Sequence, residues 1–301
     1  LAWTVKKSKK TRYETAHKAY KRASEKEEKV TITEICCASG ISRQYFYKAR
    51  KVRQKQLIDE AFIMDLVNQE RSLQPQLGCR KLLSLISEDL SEAGVSIGRD
   101  RFFDLMGKFN KLIKPKRRSA STTNSRHRFR VYSNKLKDMN LQGPNEAIVS
   151  DITYIRTDQG FVYLALVMDA FSRKVIGYDC SDSLEAEGCL RALNRALKQI
   201  PTSAKAVHHS DRGCQYCCNA YIDMLQEAGI GISMTEDKHC YENAKAERLN
   251  GIMKHEYGLC NTFAKKEHAY EAVKQAVLLY NTRRPHAALG YRIPEAVHLA
   301  A

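Results

Sequence analysis

The sequence predicts an α/β protein with a mixed sheet flanked by helices, preceded by an all-helical basic region. Three observations carry this. After residue 140, three β-rich segments follow one another and then give way to alternating helix and strand. Before residue 140, helical patterns interrupted by glycine turns dominate. Charge divides at the same place. Residues 1–140 hold 32 Lys and Arg against 15 Asp and Glu, whereas residues 141–301 hold 18 against 19, so the whole excess of +16 lies in the first part. A field of that sign attracts polyanions, with nucleic acid the usual one.

Residues 1–29 read as a basic arm or an exposed helix. Thr31 and Glu34 have capping-box spacing, opening a short helix that Gly40 stops. Ser42 can cap a second helix that begins at Arg43. Helix, glycine turn, helix is the outline of a helix-turn-helix. Arg43 and Gln44 at the start of the second helix suit phosphate and base-edge contacts. Tyr45, Phe46 and Tyr47 read as core. A second copy of the outline runs from Gly78 through Gly94 and Gly98 to a helix opened by Arg99 and Arg101. The stretch from Lys111 to Lys137 holds ten basic residues and no acid before Asp138, and includes Lys116, Arg117, Arg118 and a Ser/Thr/Asn cluster. It reads as a flexible basic linker. The expected organisation is 1–60 basic arm and helix-turn-helix, 61–118 a second helical domain, 119–140 linker and 141–301 the α/β core.

In the core, 147–156, 161–168 and 174–178 read as an antiparallel meander, with Asp158 to Gly160 as the first turn. Residues 184–200 follow as a helix, 206–209 as a strand, 220–228 as a helix, 230–234 as a strand, then 243–257 and 268–280 as helices. The longest apolar run, Phe161 to Met168, is eight residues. A membrane helix needs about 20, so a membrane protein is not expected, and no secretory signal opens the chain. The ten cysteines are expected as reduced thiols in a cytoplasm. Cys214 and Cys217 form the C-x-x-C pair, but no second spaced pair completes a zinc site, and buried thiols are the preferred reading.

Three acids stand out. Asp151 interrupts a β-rich run, where acids are depleted. Asp211 follows the fourth strand, where ligands collect in open α/β sheets. Glu247 shares a helix face with Asn243, Asn250 and Lys254, at steps of four, three and four. Gathered carboxylates repel unless cations sit between them. Hard oxygen ligands suit Mg²⁺ or Mn²⁺, and two such ions activate a hydroxyl and stabilise a leaving oxygen in phosphodiester chemistry. Asp169 reads as a turn residue instead, and His208 and His209 read either as residues that tune the site or as structural strand-end residues.

Thirty-five residues separate Asp211 from Glu247. That spacing, with Asp151-Ile-Thr-Tyr154, His209-Ser-Asp-Arg-Gly213, Asn243-Ala244 and Tyr280-Asn-Thr-Arg-Arg-Pro-His286, resembles the IS-three type of insertion-sequence transposases, whose core is retroviral-integrase-like. The resemblance covers about residues 78–297. It implies an RNase H-like fold and a triad of Asp151, Asp211 and Glu247 that is both catalytic and metal-binding, holding two Mg²⁺ ions, with Mn²⁺ as a substitute. It implies cleavage of the element's ends and attack of the freed 3′-OH on a target strand. Arg212, Asn243, Lys254, Arg284 and His286 would position DNA, and Asn281 and Tyr291 would either join them or serve structural roles. Cys214, Cys217, Cys218 and Glu242 depart from the family pattern without touching the triad. The implied partners are double-stranded DNA at element ends and target, further copies of the chain on DNA, and an upstream-frame DNA-binding product joined by frameshifting, with which the start at Leu1 is compatible. The implied location is the cytoplasm, at the nucleoid. The other readings are a non-catalytic or incomplete DNA-binding regulator, a same-fold nuclease without strand transfer, and a hybrid-cutting RNase H.

Overall fold

The computed structural model describes residues 8–27, 29–113, 130–236 and 242–300. Contacts divide the chain into two compact units, residues 1–68 with 93–95, and residues 69–92 with 96–301. The expected linker residues Lys116, Arg117, Arg118 and 119–125 lie outside the described residues.

The first unit contains α1 (Lys9–Glu25), α2 (Ile32–Ser39) and most of α3 (Arg43–Leu73). Thr31 and Glu34 form the capping box: Thr31 Oγ1 accepts from the Glu34 amide at 3.3 Å, and the Glu34 carboxylate accepts from the Thr31 amide at 2.8 Å. Gly40 then takes the left-handed conformation (φ 64°) that ends α2. Tyr13, Ala16, Ile35, Cys36 and Phe46 form the core of this helical triangle. Tyr47, expected inside, is exposed and only meets Phe46 by an edge. The outline of helix, turn and helix is therefore present, with Arg43 and Gln44 exposed at the first turn of α3. The helix expected to begin at Arg43 runs for 31 residues. Nothing between Arg43 and Leu73 breaks it, since the next proline is Pro75.

The second unit begins with α4 (Cys79–Leu85), α5 (Ser87–Glu92) and α6 (Arg99–Lys108). The sheet follows, with β1 (Ala147–Thr157), β2 (Gly160–Asp169), β3 (Val175–Ser181), β4 (Val207–Ser210) and β5 (Gly231–Met234). Its order is β3-β2-β1-β4-β5. β1 pairs antiparallel with β2, and β2 with β3, while β1–β4 and β4–β5 are parallel. This is the RNase H-like sheet. Short hairpins serve the antiparallel half, and helices must carry the chain back for each parallel strand. Those helices are α7 (Ala186–Leu197) before β4, and the single turn α8 (Cys214–Cys217) with α9 (Asn219–Glu227) before β5. After β5 come α10 (Ala244–Glu256), α11 (Lys266–Thr282) and α12 (Pro294–Leu299). α12 was not anticipated, although Pro294 at its first turn is a start signal.

Side chains alternate across the sheet, giving two cores. Ala147, Val149 and Ile155 of β1 join Leu249 and Met253 of α10 and Val273 and Tyr280 of α11. Ile148 joins Leu193 of α7 and Tyr221 and Leu225 of α9. Among the described residues no helix is long and apolar enough to cross a membrane.

At Gly177, β3 passes directly beneath α7. A Cβ there would run into the Ala192 carbonyl oxygen and the Ala196 side chain. Gly177→Ala should therefore destabilise the protein by about 1–3 kcal/mol. Denaturant titration checks this, and an unchanged midpoint would show that the two elements part easily.

Candidate active site

The sheet brings two of the three acids together because β1 and β4 are parallel neighbours. β1 and β4 pair over Ala147–Val149 and Val207–His209. The chain then leaves β4 into a turn, in which Asp211 Oδ1 accepts from the Gly213 amide at 3.0 Å. The same pairing leaves Asp151 just past the end of the shared ladder. α10 lies alongside, held by two asparagines. Asn243 Nδ2 donates to the Ser150 carbonyl at 3.1 Å, and Asn250 Nδ2 donates to Asp151 Oδ2 at 2.8 Å. The polar stripe read from the sequence thus faces β1, and Glu247 stands between these two contacts along the helix.

The carboxylates sense one another. Burial, then the charge of Asp211, push the Asp151 carboxyl up to about 7, with Glu247 adding a smaller push. The Ile152 amide and Asn250 oppose the shift. Burial and Asp211 also raise Glu247. A site that holds three acids against mutual repulsion favours a cation, and an all-oxygen donor set fits a hard divalent ion. The residue types therefore fit Mg²⁺ or Mn²⁺. As the side chains stand, however, no three His, Cys, Asp or Glu among the described residues converge closely enough to hold an ion.

Around the acids, Lys254 sits one turn beyond Asn250. Burial lowers its pKa while Asp151 draws it back up. Its ammonium lies 4.4 Å from the centre of the Tyr154 ring. Tyr154 in turn meets Phe161 edge-on at 5.5 Å, and both rings are exposed, at 39% and 46%. Arg212 donates from Nε to the Thr235 carbonyl at 2.6 Å. Asn250 and Tyr154 were not expected among the site residues. Asn250 was visible in the stripe, but nothing in sequence says which strand atom it meets.

Arg284 does not belong with a DNA-facing set. Arg284 is 2% exposed and grips Glu256 with Nε at 2.7 Å and Nη2 at 3.0 Å. Lys81 of α4 reaches the same carboxylate at 2.5 Å. Burial raises Glu256, but the two cations outweigh it and hold the carboxyl below its ordinary value. Burial, then Arg284, press His286 down to about 4, so it is uncharged at neutral pH. Arg284 was expected to meet DNA because a basic side chain in sequence looks the same whether or not its partner is buried with it. Arg99 and Arg101 are exposed on α6, the former paired with Asp100 at 2.9 Å.

The remaining polar residues take structural roles. Asn281 brackets β3, accepting from the Val175 amide at 2.9 Å and donating to its carbonyl at 2.8 Å. Asp169 is fully buried and accepts from the amides of Asn145, Phe171 and Ser172. His208 lies between Ser150 and Tyr221 and is pressed down to about 3 by burial. Cys217 is a buried free thiol, pushed up to about 11 by burial.

Comparison with known proteins places the chain in a family. Two models of the integrase core domain match, one over residues 142–240 and one over 228–294. Residues 2–82 match a family of unknown function. An uncharacterized 31 kDa protein of insertion element IS600 from Shigella sonnei is 30% identical over 266 residues, covering 87% of this chain and 96% of that protein. The transposase InsF of insertion sequence IS3A from Escherichia coli K12 is 34% identical over 184 residues, covering 60% of this chain. The chain belongs to the IS3-type family of insertion-sequence transposases. It spans 64% of the length of the InsF protein. Among solved structures, the magnesium-bound catalytic core domain of HTLV-2 integrase aligns with 52% of this chain and 98% of its own, at 16% identity and a TM-score of 0.42.

Two predictions follow from the electrostatics of this transposase core. The folded pKa of Asp151 lies above its unfolded value, so ionisation costs stability. The cost is absent below about pH 4 and complete above about pH 7. In chelator, Asp151→Asn should stabilise the protein by roughly 2–4 kcal/mol at about pH 8 and not at about pH 4. Parallel stability curves across that range would overturn the assignment. Removing the shared carboxylate with Glu256→Gln leaves two buried cations uncompensated, and should cost about 3 kcal/mol in urea unfolding at neutral pH.

Proposed function

We propose that this transposase cuts phosphodiester bonds at the ends of its element and joins the resulting 3′-OH to a target strand. Asp151, Asp211 and Glu247 are the metal-holding and catalytic residues. The single observation that supports this most is the gathering of Asp151 on β1, Asp211 just beyond β4 and Glu247 on α10, with α10 held to β1 by Asn243 and Asn250. Two bound Mg²⁺ or Mn²⁺ ions would supply charge neutralisation, activation of the attacking hydroxyl and stabilisation of the leaving oxygen.

The chain's own residues do the rest. Asn250 fixes the rotation of the Asp151 carboxyl, leaving Oδ1 to the Ile152 amide. Asn243 fixes the approach of α10 to β1, and with it the reach of Glu247. The Asp211 turn holds that carboxylate at the β4 exit. Lys254, placed over Tyr154, offers a cation to a phosphate entering beside Asp151. Arg212 stands next to Asp211, although its Nε is already committed to Thr235. The helix-turn-helix presents Arg43 and Gln44 for element-end recognition, and Arg99, Arg101, Lys116, Arg117 and Arg118 add phosphate contacts. Partners in this reading are double-stranded DNA at the ends and the target, further copies of the chain bridging two ends, and the upstream-frame product. The work is done in the cytoplasm at the nucleoid.

The test is a Mg²⁺-dependent assay on DNA carrying the element's ends, scoring cleavage and strand transfer separately. Glu247→Gln should lower both by roughly a hundredfold or more while DNA binding persists. Cleavage without joined product in the wild type would mark a nuclease. Equal reaction by both proteins would remove Glu247 from the triad.

A further inference from the structure

The hairpin joining β2 to β3 ends in Arg173, and this arginine is anomalous in two ways. Its backbone is left-handed, at φ 65°, a conformation that favours glycine or asparagine. Its guanidinium is partly buried, its Nε is inaccessible to water, and it makes no side-chain hydrogen bond or salt bridge with any described residue. Burial lowers its pKa. Buried charges ordinarily come paired, and backbone strain of this kind collects where a particular side chain is required.

The natural intramolecular partner is already engaged. Asp169 attracts the Arg173 cation without bonding it, and its oxygens accept from the Asn145 amide at 2.8 Å and from the Ser172 amide and hydroxyl at 2.6 and 2.7 Å. Arg173 instead lines a cavity of about 630 Å³ together with Lys245 and Arg292. Lys245 lines the same space, which therefore brings two like charges together. Its ammonium donates to the Ala170 carbonyl at 3.3 Å. Arg292 approaches over the rim and donates weakly to Leu289 at 3.3 Å. Backbone and apolar atoms of Phe171, Leu289 and Val297 close the walls.

We propose that this cavity binds a phosphate-type oxyanion, held by the Arg173 fork and by Lys245 and Arg292. A tetrahedral oxyanion accepts from a guanidinium and an ammonium together, and would relieve the repulsion between the two cations. Its source is either a DNA backbone phosphate or a free phosphate. The first source rests on the transposase reading above and the second does not.

The test uses the full chain. Pyrophosphate is titrated and the thermal midpoint followed. Separately, binding to a duplex is measured across a salt series. Arg173→Gln and Arg292→Gln are compared with wild type, and Arg292, being exposed, can be replaced without threatening the fold. Pyrophosphate should raise the wild-type midpoint, and each variant should weaken its binding about ten-fold. If the occupant is DNA, each variant also lowers the slope of log K against log salt by about one. An unchanged slope with lost pyrophosphate binding assigns the site to free phosphate. If neither pyrophosphate nor DNA distinguishes the variants from wild type, the proposal is overturned. Loss of concentration-dependent self-association in the variants, with no phosphate effect, would also overturn it, since the cavity would then hold a carboxylate of a second copy.

Discussion

The contact between α10 and β1 is the interaction on which the site depends. β1 is the one strand with an antiparallel neighbour on one side and a parallel neighbour on the other. Its geometry is therefore set by both halves of the sheet. α10 has no such constraint along its own sequence, and takes its place from packing and from two amide donors. Asn243 reads the backbone of Ser150 and Asn250 reads the side chain of Asp151. Those contacts are seven residues apart, about two turns, so they fix both the axial position and the rotation of the helix. Glu247 lies between them and is placed by them. The electrostatic cost of bringing acids together is offset by the apolar face of the same helix, where Ala246, Leu249 and Met253 are buried in the core below the sheet.

This division of labour explains what could be read without coordinates. The antiparallel half of the sheet was legible because β-branched runs and a two-residue turn carry their own signal, as at Ala147 to Phe161. The parallel pairing of β1 with β4 was legible only as a consequence of alternating helix and strand. The carboxylates were legible from spacing and from chemistry out of place, such as an acid in a strand. Positions whose role is set by a distant partner were not. Arg284 and Arg212 look alike as letters, yet one is sealed against Glu256 and the other stands partly exposed at the β4 exit. Tyr47 follows Phe46 on α3, and the helix turns it outward. The long reach of α3 was missed because a cap announces a start, whereas a continuation is announced only by the absence of breakers.

The helical half carries the positive excess and the sheet half carries the acids. The aromatic pair Tyr154 and Phe161 beside Lys254 adds a flat, partly apolar patch to the region around Asp151.

The ion cluster at Glu256 bears on how the molecule can be divided. Lys81 belongs to a segment ahead of the basic linker, while Arg284 and Glu256 lie far behind it, and Tyr257 reaches Gln74 in the same region at 3.0 Å. The boundary of the folded catalytic unit is therefore discontinuous along the chain. Exchange of front halves between related elements by recombination within the linker would separate a buried carboxylate from one of its two cations. Junctions that leave residues 69–92 with the integrase core preserve it, so natural or laboratory chimaeras should tolerate crossovers before that segment better than crossovers at the linker itself.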